Sequence, residues 1–227
     1  FWGFQYRRDW IVEYADEVHG IEAFSRWEDE DGYHDDVVFP NGTGDPIYIS
    51  DWEWMMEIFD YALDAEGITN GYVTTVPYTG YAGTGDLMLN SSGTYFKDGD
   101  TIKYGPKTEN FRAYLQMINT WYENGWVDQQ FAERTSDMFY QINVTGFMNG
   151  KVGLWYSGVY ALEDQLETGL PNSAENGYTE DIYVYAARQP INDMYGPQSI
   201  QGEEPFVFYQ PSLEFDSSFV SESDCSS

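Results

Sequence analysis

The chain has 227 residues, with 39 Asp and Glu against 10 Lys and Arg, for a net charge of −29. Such a surface repels phosphate backbones and anionic lipid headgroups, which removes nucleic acid and acidic membranes from the natural partners. Hydrophobic residues at 42% and aromatics at 19% are enough to build a substantial core, so the composition also argues against a disordered chain.

In chain order, residues 1–24 open on the aromatic-basic run FWGFQYRRDWIVEYA, which predicts a short strand running into a helix around residues 10–14. Residues 28–36, EDEDGYHDD, read as an acidic loop, and residues 40–46, PNGTGDP, are dense in turn formers. A strong helix follows. Ser50 with Glu53 makes a capping box, Met55, Phe59, Ala62 and Leu63 supply the apolar face, and Gly67 is the stop. Residues 72–76, YVTTV, predict a strand. Residues 94–97 and 101–104 flank Asp98-Gly99-Asp100, which predicts a hairpin with glycine at its turn.

The next element is a helix over residues 109–124. Thr108 is placed to cap it, and Gly125 supplies the left-handed residue that commonly ends a helix. Phe111, Leu115, Ile118 and Tyr122 recur at helical spacing and predict its buried stripe. A further helix is expected over residues 136–145. Residues 151–156, KVGLWY, read as a buried strand, with Ser157 capping a helix that ends near Gly169. Residues 181–187 and 206–209 are strand candidates, and the Ser/Asp/Glu-rich end is expected to be disordered. Strands interleaved with helices predict an α/β layered domain.

Several of these segments resemble, in order, those of the extracellular solute-binding proteins of bacterial ABC importers, the large sugar-type family. The most specific is Trp121-Tyr122-Glu123-Asn124-Gly125-Trp126-Val127-Asp128 followed by Phe131, at the end of the long helix. Tyr6-Arg7-Arg8-Asp9-Trp10 is similar to the family's strand-to-helix corner. Phe96-Lys97-Asp98-Gly99-Asp100-Thr101-Ile102 is similar to its hairpin ahead of that helix. Gly150-Lys151-Val152-Gly153 with Trp155 resembles the strand whose end faces the cleft between lobes, and Arg188-Gln189-Pro190 falls at the returning segment. The resemblance implies a periplasmic-binding-protein-like (type II) lobe with helices layered around a mixed sheet. Residues 1–45 would be a hinge or first-lobe remnant, 46–190 the second lobe, and 191–227 a returning hinge segment with an acidic tail. A whole family member is roughly twice this length, so the chain is expected to be a fragment or processed form.

Sugars present apolar C–H faces that stack on aromatic rings while polar groups satisfy their hydroxyls. Trp155 and Tyr156, at the end of a predicted strand, and Tyr78 and Tyr81, in a glycine-rich loop, are therefore the candidate ligand-binding aromatics, with core packing as the competing explanation. Asp86, after Gly83-Thr84-Gly85, is a candidate partner for a ligand hydroxyl or ammonium, with a solvated turn as its alternative. Trp121 and Trp126 are assigned to packing. Asp29, Asp31 and Asp36 could hold calcium through oxygen ligands, against the plainer reading of a solvated charge run; no other cofactor is expected.

Catalysis finds little support. His19 and His34 stand in no recognisable nucleophile arrangement, and the single cysteine, Cys225, permits no intrachain disulfide. The resemblance implies a monomeric protein that binds a carbohydrate, most plausibly an oligosaccharide, and delivers it to an ABC transporter permease by hinge closure. Its place would be outside the cell, lipid-anchored in the full-length protein. The competing function class is a secreted carbohydrate-active enzyme or carbohydrate-binding module.

Overall fold

The computed structural model describes residues 2–20, 24–29, 32–37, 39–75, 96–98, 100–133, 150–158 and 184–196. Within them, β1 (Trp2–Arg7) runs directly into α1 (Arg8–His19), and a hairpin follows, β2 (Phe24–Asp29) and β3 (Gly32–Val37). Next come α2 (Ile49–Ala65), a second hairpin of β4 (Phe96–Asp98) and β5 (Thr101–Lys103), and α3 (Glu109–Glu123). The last elements are β6 (Leu154–Gly158) and β7 (Val184–Ala187). The fold is α/β, with helices packed on a sheet.

That sheet has the order β6-β1-β7, and both neighbours are antiparallel to β1. Parallel pairing occurs beside it as isolated bridges, Tyr48 to Ile191, Tyr72 to Val152 and Thr74 to Val127. Alternation along β1 sends Phe4 and Tyr6 into the main core and Gln5 and Arg7 to the other face, where they are also buried. The central strand thus comes from the segment expected to be a hinge remnant, and it shares one core with α1, α2 and α3.

The corner between β1 and α1 explains the Tyr-Arg-Arg-Asp-Trp sequence in structural terms. The Arg7 guanidinium pairs with Asp9, its Nε donating to Oδ1 at 2.8 Å, and lies 4.2 Å over the Trp10 ring. Arg8 donates to the Tyr6 hydroxyl at 3.2 Å and to the Gly44 carbonyl at 3.1 Å, and lies 4.3 Å over Tyr185. Two buried cations are thereby held where the central strand passes into α1 by a carboxylate, a carbonyl and three rings.

The α2 helix is buried along most of its circumference, with Trp52, Met55, Met56, Ile58, Phe59 and Ala62 fully enclosed. Its cap differs from the sequence expectation. Asp51 accepts from the backbone N–H groups of Tyr48 at 2.8 Å and Ile47 at 3.0 Å, so the carboxylate reaches back over the first turn. Ser50 instead gives its hydroxyl to Asp193. The stop at Gly67 is as expected, in the left-handed region at φ 66°.

Close approach of β6 to α2 depends on Gly153, where an added Cβ would lie 2.5 Å from the Phe59 ring. Residues 72–75 are extended rather than a laddered strand. Tyr72 donates to the Lys151 carbonyl at 3.0 Å on one side, and Thr74 donates to the Trp126 carbonyl at 2.9 Å on the other. With a single bridge to each neighbour, the segment joins two chain stretches instead of pairing along one.

The β4–β5 hairpin and α3 lie where the sequence puts them, and the Thr108 hydroxyl accepts from the Phe111 N–H at 3.3 Å. The buried face of α3 follows the expected stripe only in part, with Phe111 and Ile118 partly buried against the core. Ala113, Tyr114, Met117 and Trp121 face the core, while Leu115 is 47% exposed and Tyr122 39%. Two further expectations change. The acidic stretch is not a loop but the β2–β3 hairpin, closed by the Asp29–Gly32 pair across two intervening residues. Ser157 lies within β6, opposite Gly3, and does not cap a helix. The segments at 136–145 and 206–209 and the C-terminal tail lie outside the described residues.

Candidate ligand-binding edge

Because β6 and β7 both run antiparallel to β1, they are parallel to each other, and their carboxyl ends emerge on one edge of the sheet beside Trp2 and Gly3. In open, mostly parallel α/β sheets ligands collect outside the carboxyl ends of strands; here β1 runs the other way between the two strands that end on this side. Tyr156 is the middle residue of β6, opposite Phe4 and two residues short of that end. Its ring is half-buried, edge-on to Phe4 at 5.1 Å, and burial pushes its phenol up from the ordinary tyrosine pKa.

Trp155 points to the opposite face, as strand alternation requires. It is 2% exposed and packs with Val152, Tyr72 and Val184 in a small second cluster. The structure therefore separates two residues that the sequence reading places together. Tyr156 packs partly buried against the main core beside Phe4, and Trp155 is enclosed on the opposite face. Tyr78, Tyr81 and Asp86 lie outside the described residues, so the structure gives them no position.

From Tyr156 an aromatic row leads inward. Phe4 meets Trp52 edge-on at 4.9 Å, and Trp52 stacks on Trp121 at 6.5 Å with the planes 16° apart. The row ends at Glu53. Its Oε1 accepts the Trp121 indole N–H at 2.8 Å and also the Tyr195 hydroxyl. Desolvation raises the Glu53 carboxyl above the ordinary carboxylate pKa, the two hydrogen bonds oppose that, and the charges of Glu57 and Asp193 add to it. Burial and the bond to Glu53 push the Tyr195 phenol upward in turn. Sequence reasoning missed this junction. Glu53 reads locally as a capping residue, and nothing near Tyr195 in the sequence names a partner 142 residues away.

The Trp-Tyr-Glu-Asn-Gly-Trp-Val-Asp segment serves packing and chain reversal. Gly125 has φ 82°, the Trp126 N–H donates to the Trp121 carbonyl at 2.9 Å, and Trp121 and Trp126 are both buried, as expected from the sequence. Asp128 is buried and accepts the Gln130 N–H at 3.1 Å, shaping the turn that leads to Phe131.

Among the described residues, no group of three or more His, Cys, Asp or Glu side chains is arranged to hold a metal. Asp31 lies outside them. Asp29 and Asp36 sit four pairs apart in the β2–β3 register, since Asp29 faces Gly32 and Asp36 faces Ser25. At about 3.3 Å per residue their backbones are roughly 13 Å apart along the hairpin. No helix of the described residues is long and apolar enough to cross a membrane.

No family model matches the chain, and no curated protein matches it. Solved structures give partial superpositions. The alginate-binding protein AlgQ2, crystallised without calcium ion, superposes with TM-score 0.49 at 13% identity, covering 84% of this chain and 32% of its own. A sugar transporter protein from Bacillus licheniformis, in complex with stachyose, superposes with TM-score 0.38 at 11% identity, covering 90% of this chain and 41% of its own. The chain thus spans about a third of the length of the first and two fifths of the second.

Proposed function

We propose that this chain is a periplasmic-binding-protein-like lobe of an extracellular solute-binding protein. In this reading it takes a carbohydrate, an oligosaccharide in particular, at the carboxyl edge of β6 and β7. The observation that carries the reading is the ordered seating of the sequence segments that resemble the sugar-type family. The Arg-Arg-Asp-Trp sequence forms the β1–α1 corner, the Asp-Gly-Asp hairpin precedes α3, Trp121 to Asp128 closes α3, and Gly153 with Trp155 leads β6 to the edge. These four short segments occur in the order in which the sugar-type family has them.

Near that edge Tyr156, mid-strand and partly buried against the main core, is the aromatic with surface left to stack on a sugar. Tyr78, Tyr81 and Asp86 complete the proposed ligand set, with Trp155 supporting Tyr156 from the opposite face of the strand. Of the expected calcium set Asp29, Asp31 and Asp36, the first and last lie four register pairs apart, which puts no single ion within reach of both, and a melting temperature unmoved by millimolar calcium would remove calcium altogether. The chain would act as a monomer outside the cell, lipid-anchored in its full-length form. Ligand would favour hinge closure by its differential affinity for the closed state, and an ABC permease would receive it.

The role is binding, not turnover. A thermal-shift screen against neutral oligosaccharides, peptides and polyamines tests this directly. Stabilisation by an oligosaccharide that is recovered intact supports the proposal. Sugar release would place the chain among carbohydrate-active enzymes, and stabilisation by polyamines alone would replace the carbohydrate with a cationic ligand suited to the −29 charge.

A further inference from the structure

The chain carries five Asn-Gly steps, at Asn41, Asn70, Asn124, Asn149 and Asn176. Asparagine followed by glycine is the step at which a side-chain amide is most readily lost, because glycine has no side chain to keep its own nitrogen from the Asn Cγ. Asn149 and Asn176 lie outside the described residues. The other three are held to different degrees, and their hydrogen bonds rank them.

Asn41 is locked through both of its side-chain polar atoms. Its Nδ2 donates to the buried Asp51 carboxylate and to the Asp45 carbonyl at 2.8 Å, and its Oδ1 accepts the Thr43 N–H at 2.7 Å. The Gly42 N–H is also engaged, donating to the Phe39 carbonyl at 2.8 Å. Asn124 is held by half. The Gly125 N–H donates to the Tyr122 carbonyl at 3.1 Å, but the exposed Asn124 side chain makes no hydrogen bond among the described residues. At Asn70 neither group is held. Asn70 is exposed and sits in the left-handed region at φ 60°, and among the described residues neither its side chain nor the Gly71 N–H makes a hydrogen bond. We propose that Asn70-Gly71 is a self-modification site of the folded chain, converting to aspartate and isoaspartate ahead of Asn124 and far ahead of Asn41.

In the reaction the Gly71 nitrogen forms a bond to the Asn70 Cγ and the Cγ–Nδ2 bond breaks. The amide leaves as ammonia, taking up the proton that the Gly71 nitrogen gives up. Water then opens the cyclic imide at either carbonyl, giving aspartate or isoaspartate. The attacking N–H must lose its proton and the amide must turn its Cγ toward that nitrogen, so a hydrogen bond on either group has to open first. Isoaspartate carries the main chain through the side-chain carbon, which lengthens it. At this position the added length meets close packing, since a Cβ built at Gly71 would lie 2.5 Å from the Leu63 side chain. The Tyr72 N–H that follows donates to the Lys151 carbonyl at 3.0 Å, and the Val73 carbonyl accepts the Leu154 N–H at 2.9 Å. Isoaspartate at position 70 therefore loosens the attachment of residues 72–75 to the start of β6. None of this depends on a ligand at the β6 edge.

Peptide mapping by mass spectrometry tests the ranking, on chain aged at mildly alkaline pH in native buffer and in guanidinium chloride. In native buffer Asn70 is expected to convert first. Asn124 should follow roughly fivefold more slowly for its one hydrogen bond, and Asn41 at least about a hundredfold more slowly for its four. In guanidinium chloride the three should convert at similar rates, since glycine follows each of them. Asn70→Gly suits the positive φ and removes the site. Ageing is expected to speed amide exchange at Tyr72 about tenfold in native chain that carries isoaspartate at position 70, and to leave it unchanged in Asn70→Gly. Asn41 keeping pace with Asn70 in native buffer, Asn70 converting only in guanidinium chloride, or a Tyr72 amide indifferent to isoaspartate would each overturn the assignment.

Discussion

The chain carries two Trp-Tyr pairs, Trp121-Tyr122 in α3 and Trp155-Tyr156 in β6, and they settle in the same way despite different backbones. In each pair the tryptophan is enclosed, 0% exposed at Trp121 and 2% at Trp155, and the tyrosine is left nearer the surface. On the helix the two side chains diverge by about 100°, and on the strand by about 180°. The larger indole takes the interior in both cases because it removes more apolar area from water. A tyrosine tolerates the boundary because its hydroxyl stays hydrated while its ring packs. Of the two candidate aromatics of β6, the comparison leaves the tyrosine as the one with surface to offer a ligand.

The largest effects that can break this comparison come from removing the two indoles. Trp121→Ala is expected to cost about 4 kcal/mol, since it empties a core site and strips a donor from Glu53. Trp155→Ala should cost less, about 3 kcal/mol, because its cluster is small. Denaturant melts measure both. A Trp155→Ala chain with native stability would mean that Trp155 is a ligand platform held open to solvent rather than a packing residue.

Two smaller substitutions sharpen the account of α3. Thr108→Ala should destabilise by about 1 kcal/mol through loss of the cap to Phe111. Leu115→Ser should change stability by less than about 0.5 kcal/mol, because Leu115 faces outward. A large loss at Leu115 would restore the stripe that the sequence periodicity suggests.

That stripe shows what the sequence could and could not express. Phe111, Leu115, Ile118 and Tyr122 have the correct period, and so do Tyr114, Met117 and Trp121 one position away. Periodicity fixes that a helix forms but does not choose between two stripes about 100° apart. The choice is made by tertiary packing, which encloses Tyr114, Met117 and Trp121 and brings the Trp121 N–H onto Glu53, 68 residues away. The α2 cap was obscured for the same reason, since Asp193, 143 residues distant, takes the Ser50 hydroxyl.

Local chemistry was easier to read. The Thr108 cap, the stops at Gly67 and Gly125, the Asp-Gly-Asp hairpin and the β1–α1 corner depend on neighbours in sequence, and all are found as expected. The β2–β3 hairpin was hidden because its acidic residues mask the β-forming Phe24, Trp27, Tyr33 and Val37. Of the site, the position of β6 was legible, but which of its two aromatics keeps surface for a ligand depends on which face meets α2, a tertiary fact.

The central claim is that the β6 edge binds carbohydrate through Tyr156, and calorimetric titration of neutral oligosaccharides into the native chain and Tyr156→Leu tests it most directly. The account predicts saturable binding to the native chain, recovery of the sugar intact, and affinity weakened by about tenfold in Tyr156→Leu, the value of one aromatic contact. Equal affinity of the two chains, or no binding of any oligosaccharide by the native one, would contradict it.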